Sequence, residues 1–230
     1  MEVIVQPGLE GAARARGVAV VIDVFRAFTV SAYALAGGAA ECLLVRDVDD
    51  AVELARQVPN AVVSAEVDGK PIPGIPISNS PAQVAELDWR GRTLVQRTSA
   101  GTQGAAAAAE SADVVMAASL VVAGATAAAV RHLRPDLVTL VTTGATDHVE
   151  DAACAELLRA LLLGEPADSD SAVERIRRSE RYALLADGSV PGFPRQDLDL
   201  ALAVDRFDFA QRVTVEAGVL HLRAEVPSAG

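Results

Sequence analysis

The chain has 230 residues, 51% of them hydrophobic and 22% charged, with a formal net charge of −11 and a pI near 4.7. That length supports a sizeable core in one large domain or two tightly joined ones, and no run gives the roughly 18 uncharged apolar residues of a membrane span. The acidic balance argues against nucleic-acid binding, which needs a basic face, and it means that any anionic ligand must be held by local positive charge against the overall field.

Residues 2–6 predict a first strand, and 8–17 a turn-rich connection with room for a short helix, whose glycines do not make G-x-G-x-x-G. The opening Met1-Glu2-Val3 has an acid where a signal peptide carries basic residues, so no export is expected and the cytoplasm is the expected compartment. Residues 18–22 are apolar without alternation, as in a strand covered on both faces of an α/β protein. The chain then passes Asp23, Arg26 and Thr29 as helical periodicity begins at Ala27, runs to Ala36 and closes on Gly37-Gly38. Ligands of open α/β sheets bind beyond the carboxyl ends of strands, so Asp23 and Arg26 stand where chemistry would be placed. The structural alternative is that Asp23 caps the helix and Arg26 pairs with it.

A strand is predicted over 41–45, an amphipathic helix with acids in its first turn over 49–57, and another strand over 61–65, ending at Glu66. Residues 67–81, with prolines at 71, 73, 76 and 81, predict a long loop that is either a lid or binding loop or a solvated connection. Ser80-Pro81-Ala82-Gln83 is a capping-box pattern that starts a helix running to about Leu87. Residues 92–98 predict a strand, Ser99 to Thr102 a turn, and 103–110 an alanine helix. Strand, hydroxyl-rich turn and helix in that order aim backbone N–H groups at a phosphate. The Walker spacing and its lysine are absent, however, and a plain β-turn-α connection reads equally well.

A strand over 114–118, a helix rich in small residues over 121–133 and a strand over 137–143 follow. After the turn 144–147 comes a helix that opens on Glu150-Asp151, runs to Leu163 and stops at Gly164. Helices over 171–185 and 197–205 and a terminal hairpin of 211–215 and 218–223 complete the chain, with the last residues expected to fray. Cys42 and Cys154 sit in apolar settings; a disulfide stays open, free thiols in a reducing cytosol are the expectation, and two cysteines cannot make a four-cysteine zinc site.

This order predicts an α/β fold, a layered α/β/α arrangement with a largely parallel or mixed sheet. It forms a single unit over 1–230 or two tightly packed subdomains meeting near 110–135. Asp23, Glu66 and the Glu150-Asp151 pair fall at inferred strand ends or just beyond, which would share one edge of a parallel arrangement. Magnesium takes hard oxygen ligands, usually one or two carboxylates with waters and substrate phosphate. These acids are therefore a candidate metal cradle, and Thr98-Ser99-Ala100-Gly101-Thr102 a candidate phosphate cradle. Taken singly, each acid reads as a helix cap or surface charge.

Four motifs in colinear order resemble those of the 2-phosphosulfolactate phosphatase family, magnesium-dependent phosphatases first associated with coenzyme M synthesis. Asp23-Val24-Phe25-Arg26-Ala27-Phe28-Thr29 is similar to D-V-x-R-A-x-T. Glu66, Ile72-Pro73-Gly74 and Ser78-Asn79-Ser80-Pro81 resemble E-R, I-P-G-F and G-N-S-P. Thr98 to Thr102 resembles T-[TS]-[NA]-G-T, and Glu150-Asp151 with Cys154-Ala155 resembles E-D-x-x-C-A-G. The resemblance covers most of the chain. It implies Mg²⁺-dependent hydrolysis of a small phosphorylated 2-hydroxy acid, 2-phosphosulfolactate, to 3-sulfolactate and phosphate. Asp23, Arg26 and Glu66 would be catalytic; Arg26, Thr29, Asn79, Ser80, Arg97, Thr98, Ser99, Gly101 and Thr102 would bind substrate; and Asp23 and Glu66, with Glu150 and Asp151 beside them, would hold the metal. No nucleic acid or membrane partner is implied, and a homodimer stays open. The alternative is a non-catalytic anion-binding or regulatory α/β protein of the same descent.

The chain departs from the family pattern at four positions: Val67 replaces an arginine, Ile75 an aromatic, Ser78 a glycine, and Glu156 the small residue after Cys-Ala. Valine cannot imitate the bidentate anion contact of arginine, and Arg97 or Lys70 are the candidate substitutes. Val24-Phe25 after Asp23 leaves no D-x-D pair, so metal-assisted hydrolysis is expected rather than phosphorylation of Asp23.

Overall fold

A computed structural model describes residues 1–144 and 148–226. The first half alternates strictly enough to set the architecture: β1 (Glu2–Pro7), α1 (Gly8–Ala13), β2 (Val18–Ile22), α2 (Ala27–Ala36), β3 (Cys42–Leu44), α3 (Val48–Gln57), β4 (Ala61–Val67), β5 (Lys70–Pro71), α4 (Pro81–Ala85), β6 (Thr93–Arg97) and α5 (Gly101–Ala108). There follow β7 (Val114–Ala118), α6 (Ala123–Leu133), β8 (Leu137–Thr142), α7 (Val149–Leu163), α8 (Ser169–Arg177), α9 (Glu180–Ala186), α10 (Gln196–Ala201), β9 (Ala210–Glu216) and β10 (Val219–Glu225). The fold is α/β, and its mixed sheet runs β1-β8-β2-β7-β9-β10-β3-β6-β4-β5.

Two parallel groups make up the sheet, β1-β8-β2-β7 and β3-β6-β4, and the β9–β10 hairpin joins them. The pairings β7–β9, β9–β10 and β10–β3 are all antiparallel, so three reversals leave the two groups running in opposite senses. This corrects the expectation that the acidic strand ends share one edge of a parallel sheet. They meet for another reason. Adjacent strands rotate by about 20–25° each, so the five steps from β2 to β6 accumulate roughly 100–125° and swing the carboxyl ends of the opposed groups toward each other.

Helices fix that curl. The alanine-rich α5 leaves β6 in one group and packs on the other, close enough that a Cβ at Gly104 would meet Thr143 Cγ2 at 2.7 Å and Val21 Cγ1 at 3.2 Å. Nearly all of α2 is buried, because it lies over the central hairpin with Phe28 and Val30 in one cluster with Cys42, Leu44, Leu94, Val213 and Leu222. Its polar atoms are satisfied there: Ser31 Oγ donates to Gln211 Oε1 at 2.5 Å and Gln211 Nε2 to the Phe28 carbonyl at 3.0 Å. On the opposite face α6, α7 and α8 cover Val20, Ile22, Met116 and Leu140. Helix α3 closes a smaller cluster over Leu43, Val63 and Val95.

Several expected boundaries move. The helix predicted over 171–185 is two, because Ser179 turns out of the helix and caps α9 by accepting from Tyr182 N at 3.1 Å. The first residues of the helix predicted over 121–133 form a 3-10 turn, Leu120–Val122. The 67–81 loop opens as a hairpin, with Glu66 opposite Pro71 and Val67 opposite Lys70, and a bridge from Ser64 to Ile77 ties its far end to the sheet. Both cysteines are buried and free. Among the described residues, no helix is long and apolar enough to cross a membrane. The turn residues 145–147 and the fraying expected at 227–230 lie outside the described residues.

Candidate active site

The strand-end loops close around a cavity of about 360 Å³. Its polar wall comes from Asp23 and Arg26 after β2, Glu66, Asp68 and Gly69 at the β4–β5 hairpin, Asn79, and Ser99-Ala100 after β6. The rest of its wall comes from His148, from Arg181, Leu184 and Leu185 of α9, and from Val190 and Phe193 in the segment beyond it.

Asp23 is bound at both ends of its own short connection. Its amide donates to the Ala118 carbonyl at 3.1 Å, and its Oδ1 accepts from Ala27 N at 3.0 Å, capping α2. Its Oδ2 lies where a Cβ at Gly101 would meet it at 2.7 Å, with Ala27 Cβ at 2.5 Å, so only glycine fits at 101. Burial pushes the carboxyl up to about 6, the bond from Ala27 opposes this, and the nearby Glu66 and Glu150 carboxylates add to the rise.

Asp151 and Glu150 have other partners. Asp151 accepts from Val24 N at 2.9 Å and Gly144 N at 3.0 Å, tying the ends of β2 and β8 together. Burial, followed by the charges of Asp23 and Glu150, holds its carboxyl well above the usual range. Glu150, 1% exposed, accepts from Arg181 Nε at 2.9 Å, with His148 Nδ1 3.7 Å away. Glu66 accepts from the amides of Gly69 and Ser99, which joins the hairpin to the turn after β6. Of the four acids expected to hold a metal, the structure thus brings Asp23 and Glu66 to the cavity wall. Asp151 and Glu150 stand behind it.

Arg26 is buried, and its partner is Asp197 rather than Asp23. Its NH1 donates to Asp197 Oδ2 at 2.7 Å and to the Gly192 carbonyl at 2.6 Å, and its guanidinium carbon sits 4.2 Å from the centre of the Phe193 ring. The peptide bond between Phe25 and Arg26 is cis. Burial lowers the pKa of Arg26 and the Asp197 charge opposes it. Asp197 also accepts from Ser80 Oγ at 2.7 Å and Ala82 N at 3.0 Å, so one buried carboxylate ties α10, α4 and the turn before α2.

The remaining residues expected to bind substrate divide in two. Asn79 and Ser99 reach the wall. Asn79 holds a positive φ of 57° and its Oδ1 accepts from Gln96 Nε2 at 3.1 Å. Ser99 Oγ accepts from Asp68 N at 2.9 Å. The others are turned inward: Thr29 donates to the Val24 carbonyl, Ser80 caps α4 and donates to Asp197, and Thr98 and Thr102 bond to each other's backbone. Arg97 donates to the carbonyls of Arg46 and Glu66. Neither candidate substitute for the missing arginine reaches the cavity, and Val67 itself is 40% exposed on the hairpin.

Asp197, Arg181 and Phe193 escaped the reading of the sequence. Asp197 looks there like an ordinary helix-start acid, and Arg181 and Phe193 belong to no motif. Nothing local marks them, since Arg26 and Asp197 lie 171 positions apart.

The fold and the site define an α/β protein in which two buried strand-end carboxylates, Asp23 and Glu66, share a small cavity with Arg26 and Arg181. A family model described as 2-phosphosulpholactate phosphatase matches residues 5–187, and the chain belongs to that family. A relative from Bacillus subtilis is 33% identical over 202 residues, 87% of this chain and 88% of its own. One from Thermoplasma acidophilum is 30% identical over 186 residues, 81% of each chain, and one from Deinococcus radiodurans is 36% identical over 148 residues, 64% of this chain and 62% of its own. All three are named probable 2-phosphosulfolactate phosphatase.

Proposed function

We propose that this chain hydrolyses 2-phosphosulfolactate to 3-sulfolactate and phosphate, with Mg²⁺ held by Asp23 and Glu66. The observation that carries the reading is the state of Asp23: one oxygen caps α2, while the carboxylate faces the cavity raised to about 6 by burial and its acidic neighbours. A buried cluster of that kind favours a divalent cation, which would relieve the repulsion. The donors are hard carboxylate oxygens. Mg²⁺ keeps waters and takes substrate phosphate beside one or two carboxylates, which Asp23 and Glu66 on this wall would supply.

Bound there, the ion supplies Lewis-acid charge neutralisation and a more acidic water. The chain's own residues supply position. Arg26 stays charged in its buried setting because Asp197 compensates it, and it adds positive charge beside Asp23 where phosphoryl oxygens would lie. Asn79 lines the cavity with its carbonyl oxygen held by Gln96, so its amide nitrogen is the donor that would serve a ligand. Leu184, Leu185, Val190 and Phe193 add apolar surface to the lining of the same cavity.

The test is phosphate release from 2-phosphosulfolactate by the whole chain, with Mg²⁺ and with excess chelator. Release that depends on added Mg²⁺ supports the reading, and undiminished release in chelator overturns the metal. Binding of substrate without turnover would instead favour a non-catalytic anion-binding protein.

A further inference from the structure

The missing family arginine at position 67 leaves a question of charge. A phosphorylated sulfo-acid carries anionic groups beyond its phosphate, and one arginine beside Asp23 cannot face all of them. We infer that Arg181 recognises the second acid group of the substrate, the sulfonate or carboxylate on the carbons next to the phosphate ester. The inference rests on the proposed function for the phosphate end of the site.

Three observations carry it. Arg181 lines from α9 the same cavity that Asp23 and Glu66 line, with its side chain 24% exposed. Its Nε donates to Glu150 Oε1 at 2.9 Å, and among the described residues neither terminal nitrogen makes a hydrogen bond. Glu150 is itself 1% exposed, so the anchor is buried, and the two terminal nitrogens of Arg181 are left to act as a fork. The other candidates are committed elsewhere: NH1 of Arg26 is shared between Asp197 and the Gly192 carbonyl, Arg97 holds backbone carbonyls, and Lys70 is exposed on the hairpin.

Arg181 and Asp23 line the same cavity of about 360 Å³, a pocket of small-molecule size that one three-carbon acid can occupy. Leu184 and Leu185, one turn along α9, continue its lining with apolar surface and offer no competing charge.

The experiment compares Arg181→Gln and Arg181→Lys with wild type on two substrates, 2-phosphosulfolactate and 2-propyl phosphate, which keeps the secondary phosphate ester without the acid groups. The ratio of kcat/KM for the first over the second should fall about 10- to 100-fold in Arg181→Gln, mainly through KM. Arg181→Lys should fall between, since it keeps the charge and loses the fork. Equal loss on both substrates would place Arg181 at the phosphoryl group and overturn the inference, as would an unchanged ratio. Calorimetric binding of 3-sulfolactate separates this from the activity itself. Should wild type release no phosphate, the proposed hydrolysis falls, yet weaker 3-sulfolactate binding by Arg181→Gln still supports Arg181. Equal binding by both proteins, or none by wild type, overturns it.

Discussion

Asp23 is held by two opposing demands, since its Oδ1 stabilises α2 as a charged cap while its burial beside Glu66 and Glu150 favours the proton. Its carboxyl rises from 3.8 to about 6, so without a cation the native state keeps a proton that the unfolded chain releases between those values. The stabilisation is therefore complete below about pH 4 and lost as pH rises through about 6, by about 3 kcal/mol in order of magnitude. Asp23→Asn, which keeps an oxygen for Ala27 and does not titrate, should gain on wild type in metal-free urea unfolding as pH rises from 4 to 7. A gap that shrinks over that range contradicts the assignment. The same variant should lose most phosphatase activity while still folding. Asp197 makes a different claim. Asp197→Ala leaves the Arg26 charge buried and unpaired, and should cost about 3–5 kcal/mol in chemical denaturation; a loss under 1 kcal/mol would show that Arg26 finds water.

At the scale of elements, the turn into α5 depends on close approach. A methyl group at Gly101 would strike Asp23 Oδ2 and Ala27 Cβ, atoms held by a capped helix start rather than by a flexible chain end. Gly101→Ala should therefore lower both melting temperature and activity, and a normal melt with full turnover would show that the β6–α5 turn can retreat. These elements also show what local sequence can carry. The unalternated run 18–22, the capping residues Ser80 and Pro81, and Gly164 at φ 71° each announce their structure within a few residues. Even so, Gln83 completes its capping pattern differently, accepting from Ser78 N instead of from Ser80 N. In the site, Asp23, Glu66, Asn79 and Ser99 reach the cavity because strand-end loops place them there. Thr29, Ser80, Thr98 and Thr102 carry the same chemistry in the sequence but bond inward, a choice made by side-chain direction that no motif records. Arg181, Phe193 and Asp197 arrive from the end of the chain through packing alone.

Across the whole molecule, the hairpin of β9 and β10 decides whether the two parallel groups meet at all. It pairs with β7 on one side and β3 on the other, and it buries Ala210, Gln211, Val213 and Leu222. Its position could not be read from a terminal alternation of apolar residues, since strand order is set by long-range pairing. A chain ending before residue 208 should lose cooperative thermal unfolding together with activity; a sharp unfolding transition in that truncation would mean the two groups associate without their join. We propose that the two carboxylates this curl brings together, Asp23 and Glu66, form the Mg²⁺ site. Calorimetric titration of Mg²⁺ into wild type, Asp23→Asn and Glu66→Gln at pH 7 and pH 5 tests it most directly. Wild type should bind at pH 7 and more weakly, with proton release, at pH 5, and each variant should lose most affinity at pH 7. Equal affinity in all three proteins would contradict it.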